Sequence, residues 1–196
     1  MRTHLEVESM ERSFLAARSD FVVRTRELAK KKKQTLYGLV NEALEQLLRA
    51  EEMDSSLPEI VEDHFILKIA KESGFTLINE SLLNYLLERV SEEENEPLTD
   101  MFYKMGEWLG KYCQVRFTGD DPLRVIEKIL GRLFWDVSEF DIAKDGERII
   151  VQCIGSRISG SYTSLLSMFL EGLMHSFEYS TVKRDVSKGI ISLGFR

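Results

Sequence analysis

Four consecutive lysines, Lys30 to Lys33, sit between two stretches of helical periodicity, and that junction constrains the chain more than any other feature. Before it, Phe21, Val22, Thr25, Leu28 and Ala29 share one helical face. Ser19 or Asp20 is placed to cap this helix, because a short side-chain oxygen accepts from a backbone N–H that the helix itself leaves free. The lysines end it, since cations suit the negative end of the helix dipole. After the junction Thr35 is expected to cap a second helix, whose apolar stripe is Leu39, Val40, Ala43, Leu44, Leu47 and Leu48. Two helices this short enclose too little core to stand alone. They need the rest of the chain or a second copy of it.

Arg12 to Arg18 reads as a short strand leading into the first helix. A rival reading makes Ser9 to Lys33 one long helix, because Phe14, Phe21 and Leu28 lie seven apart, as do Leu15, Val22 and Ala29. With the strand, the order strand, helix, capped turn, helix resembles the ribbon-helix-helix family. The match rests on Leu28-Ala29 and on Thr35-Leu36-Tyr37-Gly38-Leu39-Val40-Asn41-Glu42-Ala43-Leu44. The resemblance implies a homodimer that lays a two-stranded ribbon in the major groove of double-stranded DNA. Arg12, Phe14 and Ala16 would face the groove, and Thr35, Leu36 and Tyr37 would clamp a phosphate at the helix start. Lys32 and Lys33 lie beside that clamp. The chain departs from the pattern at Phe14 and Ala16, which offer no polar fork to a base edge. Arg12 can read guanine, whereas Phe14 can only touch a thymine methyl.

Charge is distributed unevenly. Residues 1–50 carry ten basic and seven acidic side chains, net +3; residues 51–100 carry three and fourteen, net −11; residues 101–196 carry thirteen and twelve, net +1. The acidic middle repels a duplex, so any DNA contact is confined to the N-terminal end. Charged residues make up 30% of the chain and no apolar run is long enough to cross a bilayer, which points to a soluble chain without a membrane partner. No signal peptide opens it, so the expected location is cytoplasmic. Asn and Gln are sparse while Glu and Lys are plentiful, a balance that leans towards a thermophile.

After a break at Asp54-Ser55-Ser56, Pro58 suits the first turn of a helix and Gly74 suits its stop. Asn79 is expected to cap the next helix, with Leu82, Leu83, Leu86, Leu87 and Val90 as its stripe. The acidic run Ser91 to Leu98 is the best linker candidate. Thr99 or Asp100 then caps a helix with Phe102, Met105, Leu109 and Tyr112, containing Gly106 and Gly110. Those glycines weaken it unless something packs closely against its backbone. Pro122 opens a further helix. Strands are expected at Val137 to Ala143 and Arg148 to Cys153 around Asp145-Gly146, a helix at Tyr162 to Phe177, and strands at Glu178 to Arg184 and Ile190 to Phe195. The fold class is therefore α+β with an antiparallel sheet. Residues 10–52 form the N-terminal module, 53–97 an acidic helical connector and 98–196 the C-terminal domain.

The run Met168-Phe-Leu-Glu-Gly-Leu-Met-His-Ser-Phe, followed by a closing strand pair and preceded by Phe102-Tyr-Lys-Met-Gly-Glu-Trp-Leu-Gly, resembles the vinyl-reductase-like ligand-binding domain. That domain is related to small vesicle-tethering subunits of eukaryotes. The resemblance implies that small apolar or aromatic molecules are bound, in some members beside a DNA-binding module. Many members carry cysteines for a metal near the closing hairpin. Lys183 to Phe195 contains none, so no metal and no cofactor is expected.

Met168, Phe169, Met174 and Phe177, with Trp108, are the candidates for lining an apolar pocket, because flexible thioethers and rings suit apolar ligands. The same residues also read as a plain core stripe, as do Phe134 and Trp135. No catalytic set emerges. His4, His64 and His175 are widely separated, and the serines from Ser156 to Ser167 read as loop, cap and helix-surface residues, not as a nucleophile elbow. Cys113 and Cys153 have no metal-ligand spacing and read as reduced, partly buried thiols. The expectation is a non-enzymatic homodimeric regulator with a ligand-sensing C-terminal domain. The alternative is a ligand-binding or scaffolding protein in which the N-terminal module only dimerises.

Overall fold

A computed structural model describes residues 13–89, 95–119 and 121–196. The chain is α+β: the described residues form seven helices and one four-stranded antiparallel sheet. It divides into two compact units, with the boundary between Val61 and Glu62.

In the first unit α1 spans Ser19–Lys32 and α2 spans Leu36–Glu52. Residues 13–18 are neither strand nor helix. This corrects the strand expected there, and it equally removes residues 13–18 from the rival long helix. A strand is held only by a neighbouring strand, and no described residue of the unit supplies one. Arg12 lies outside the described residues. Ser19 is not the cap expected of it. Arg18 occupies the N-cap position without a side-chain cap bond, and its guanidinium grips the Asp20 carboxylate at 2.8 and 3.1 Å. The cap at Thr35 forms as expected, its hydroxyl accepting from the Gly38 N–H at 3.0 Å.

Helix α3, Leu57–Glu72, opens with a reciprocal capping box. The Ser56 N–H donates to the Glu59 carboxylate at 2.7 Å, and the Glu59 N–H donates back to the Ser56 hydroxyl. It closes at Gly74, whose φ of 79° suits a residue without Cβ, while the Phe75 N–H returns to the Ala70 carbonyl. Helix α4, Glu80–Glu88, is capped by Asn79 at 3.2 Å as the sequence predicts.

Helix α5, Asn95–Arg116, starts earlier than expected and takes in Pro97. A proline in the first turn removes only an N–H that has no helical partner, so the second half of the proposed linker is helical. Helix α6, Pro122–Leu133, is capped by Asp121. Strand β1, Glu139–Asp145, pairs with β2, Arg148–Ile154, around a two-residue turn. Helix α7, Gly160–His175, follows, then β3, Thr181–Ser187, and β4, Ile190–Phe195. The sheet order is β1-β2-β4-β3.

The core of the second unit lies between the sheet and its helices. Ile149, Val151 and Cys153 of β2 stand opposite Phe195, Leu193 and Ile191 of β4, and all six face inward. Above them α7 buries Leu166, Phe169, Leu170, Leu173 and Met174. Helix α5 crosses α7 with backbone against backbone. A Cβ on Gly106 would stand 1.9 Å from the Phe169 carbonyl oxygen, and one on Gly172 would stand 2.0 Å from the Tyr103 carbonyl oxygen. These glycines sit in helices because the crossing admits nothing larger. The outer edge of β1 is partly closed, since the Ile142 N–H donates to Glu127 of α6 at 3.2 Å.

Candidate ligand cleft and basic helix turn

The crossing of α5 and α7 positions one face of each helix over a cleft of about 390 Å³ in the second unit. Phe102, Met105 and Trp108 of α5 form one wall, and Tyr162, Leu166 and Phe169 of α7 form another. Phe134, just past α6, stands edge-on to Phe169 at 6.4 Å and to Phe140 at 5.4 Å. The remaining side is the segment after α3, contributing Ser73, Gly74, Phe75, Thr76 and Ile78, together with Leu83 of α4. Trp108 is half exposed and stacks on Tyr112 at 5.4 Å, so one rim of the cleft is an aromatic pair open to solvent.

Among the described residues, no charged side chain lines the cleft. Its polar groups are the hydroxyls of Ser73, Thr76 and Tyr162. Burial pushes Tyr162, and Asp136 near it, up from their ordinary values. Ser73 follows the last residue of α3, and its hydroxyl oxygen is buried with no hydrogen-bond partner.

Of the residues predicted to bind an apolar ligand, Trp108 and Phe169 meet at this cleft. Met174 is fully buried in the core, Phe177 packs against that core, and half-buried Met168 does not line the cleft. For Met174 and Phe177 the core reading of the apolar stripe is the one the structure shows. Helix periodicity marks an apolar face, but it does not say which turns of that face meet a void. Phe102 and Met105 were legible as apolar positions of their helix. Ser73 and Tyr162 carried no sequence signal, because a segment 89 residues away in the chain completes their surroundings.

A second polar cluster ties α7 to β3. Ser167, Glu171 and His175 lie four apart on α7. Arg184 donates to the Ser167 hydroxyl at 2.9 Å and pairs with the Glu171 carboxylate at 3.3 Å. The His175 ring lies 2.8 Å from the Tyr103 hydroxyl through Nδ1 and 2.8 Å from the Thr181 hydroxyl through Nε2. Both ring nitrogens are thus engaged in holding α5, α7 and β3 together. Burial pushes the Cys113 thiol up to about 11 and the Cys153 thiol up to about 12, so neither is a thiolate near neutrality.

In the first unit the DNA-contact candidates fall into two groups. Lys32 ends α1, and Lys33 follows in a left-handed conformation, φ 57°. Thr35, Leu36 and Tyr37 come next at the start of α2, whose first turn carries no acidic side chain. These five residues therefore form one basic helix start. Phe14 is elsewhere, fully exposed in the irregular segment 13–18. Along α2 the side chains of Val40, Leu44, Leu47 and Leu48 are exposed, although their spacing is that of a buried face. No helix of the described residues is long and apolar enough to cross a membrane.

No family model, no curated protein and no solved structure matches this chain.

Proposed function

We propose that the protein is a homodimeric DNA-binding transcriptional regulator whose second unit takes up a small apolar ligand in the α5–α7 cleft. The observation that carries the reading is on α2. Its capped, lysine-flanked start is suited to an anion, and among the described residues its apolar stripe stays exposed at Val40, Leu44, Leu47 and Leu48. Helix N-terminal N–H groups favour phosphate, and an apolar stripe of this kind is buried by a second copy. The ligand half of the proposal rests on the largely apolar walls and the volume of the cleft, which falls in the range of small-molecule sites.

Fluorescence anisotropy of a labelled duplex at low and moderate salt tests the DNA half. The proposal expects affinity that falls steeply with salt and a shallower salt slope in Lys32→Ala/Lys33→Ala, because fewer counterions are then released. No binding to any duplex at low ionic strength overturns it. The second reading is a ligand-binding or scaffolding protein whose N-terminal pair of helices only dimerises. It is favoured by Phe14, which stands exposed and has no hydrogen-bonding group for a base edge.

A further inference from the structure

We infer that β3 is a pairing edge for a second copy of this chain, and that the two β3 strands meet antiparallel about a two-fold axis at Arg184, joining two four-stranded sheets into one. This rests on the homodimer proposed above and adds a contact that the exposed stripe of α2 does not describe. The first observation is which backbone groups the edge leaves free. Strands β3 and β4 are joined by the two-residue turn Lys188-Gly189, with Ser187 opposite Ile190. A pair that flanks such a turn exchanges both of its hydrogen bonds, and the ladder then alternates. The backbone groups of Ser187, Asp185 and Lys183 therefore face β4, and those of Val186 and Arg184 face outward. The same count on the other hairpin turns Ile142 outward from β1, where its N–H is met by Glu127. Among the described residues nothing meets Arg184 or Val186 in that way, and Val182, Lys183, Arg184 and Asp185 are exposed.

The second observation is the order of charges along that edge. Two copies of one strand pair only where outward groups meet outward groups, so the two-fold axis falls on a single residue. Placed on Lys183 or on Asp185, it sets a charge against its own kind, which is unfavourable. Placed on Val186, it sets Arg184 opposite the partner's Lys188. Placed on Arg184, it sets Lys183 opposite the partner's Asp185, and Asp185 opposite the partner's Lys183. These two pairs are of the non-hydrogen-bonded kind, in which side chains come closest and Cα atoms stand about 4.5 Å apart. Arg184 then meets its own copy, but each guanidinium is drawn to its own α7, 3.3 Å from Glu171 and 2.9 Å from Ser167. Charges on an edge strand guard it against other strands. Lys183-Arg184-Asp185 admits a strand with the reverse order of signs, and a second antiparallel copy is such a strand. The bulge at Val182 limits the regular ladder to Lys183–Ser187. A contact this short does not hold two chains by itself. It forms where α2 has brought the copies together, at an effective concentration far above that in bulk.

Register-specific crosslinking of the full chain tests the pairing. Lys183→Cys and Asp185→Cys are prepared separately, mixed, left to exchange subunits and oxidised mildly. Both positions are exposed, so neither substitution disturbs the core, and the native Cys113 and Cys153 are buried away from the edge. In the mixture the two new thiols face each other within bridging distance. Within either variant alone they lie on a diagonal, about 7–8 Å apart, which is too far. The expected result is a disulfide-linked dimer that forms on the order of tenfold faster in the mixture than in either variant alone, because only the facing pair is within reach. Equal rates in all three samples overturn the inference. Sedimentation equilibrium of the wild type separates its failure from that of the homodimer. A dimeric wild type with no bridge in the mixture overturns the strand pairing alone. A monomeric wild type with no bridge overturns both.

Discussion

Gly172 of α7 lies so close to Tyr103 of α5 that a methyl in place of its hydrogen would stand 2.0 Å from the Tyr103 carbonyl oxygen. The obstacle is backbone, which cannot swing aside as a side chain does. Gly172→Ala is therefore expected to destabilise the second unit by about 2–4 kcal/mol, through overpacking at a rigid contact. Gly131 of α6 is the control, having no atom within 4 Å of an added Cβ. Gly131→Ala should stabilise by about 0.5–1 kcal/mol, the helix-propensity difference. Urea unfolding midpoints of the two variants check both signs.

Burial of Cys113 and Cys153 gives the fold an alkaline limit. Their thiols sit at about 11 and about 12, whereas a thiol in an unfolded chain titrates near ~8.5. The folded state holds these protons more tightly, so their contribution is fully present below about pH 8 and is lost as pH rises through the folded values. Urea midpoints are expected to decline above roughly pH 9, and less steeply in Cys153→Ala. Native protein at pH 7.5 should resist thiol reagents that label both cysteines in denaturant. Rapid labelling of the native protein would contradict the buried assignment.

Leu44 and Leu48 of α2 are exposed at 37% and 64%. If a second copy covers them, Leu44→Glu/Leu48→Glu should convert the dimer to a monomer. Helix content by circular dichroism should remain the same, because Glu and Leu have similar helix propensities. Sedimentation equilibrium over a range of concentrations reads the outcome. A wild type that is monomeric at high concentration would remove the dimer from the proposal.

Glu171 is buried on α7 and depends on Arg184, whose side chain remains 40% exposed. Arg184→Met leaves that carboxylate without its cation, and with partial solvent screening the expected loss is about 1–2 kcal/mol. Glu171→Gln in the same background should recover part of it, since a neutral amide is easier to bury. A double-mutant cycle by chemical denaturation measures the coupling. A coupling near zero would mean that the ion pair does not hold β3 to α7.

The caps at Thr35 and Asn79 and the antiparallel strand pairs were legible because each is decided within a few residues of chain. A short side-chain oxygen meets the nearest N–H whatever surrounds it. The errors were also local in origin. Arg12 to Arg18 carries strand-like residues, yet residues 13–18 are irregular because pairing needs a partner that no local pattern supplies. Pro97 read as a linker signal and stands instead in the first turn of α5. The Ser56–Glu59 capping box stands in the sequence as Ser-x-x-Glu, overlapping Pro58 in the same first turn.

The sequence by itself determined where α2 and α4 start, which faces are apolar, that the basic charge gathers at one end, and that Gly106 and Gly110 require a close neighbour. Tertiary structure decided which neighbour. It set α7 against α5 at Gly106 and Gly172, turned Phe169 and Trp108 towards a cleft and Met174 into the core, and brought Ser73 and Tyr162 to the lining of one cleft. The physical reason is one of range. Hydrogen bonds at helix ends and side-chain periodicity are short-range properties of the chain, whereas a cavity is the space left between elements that meet only on packing.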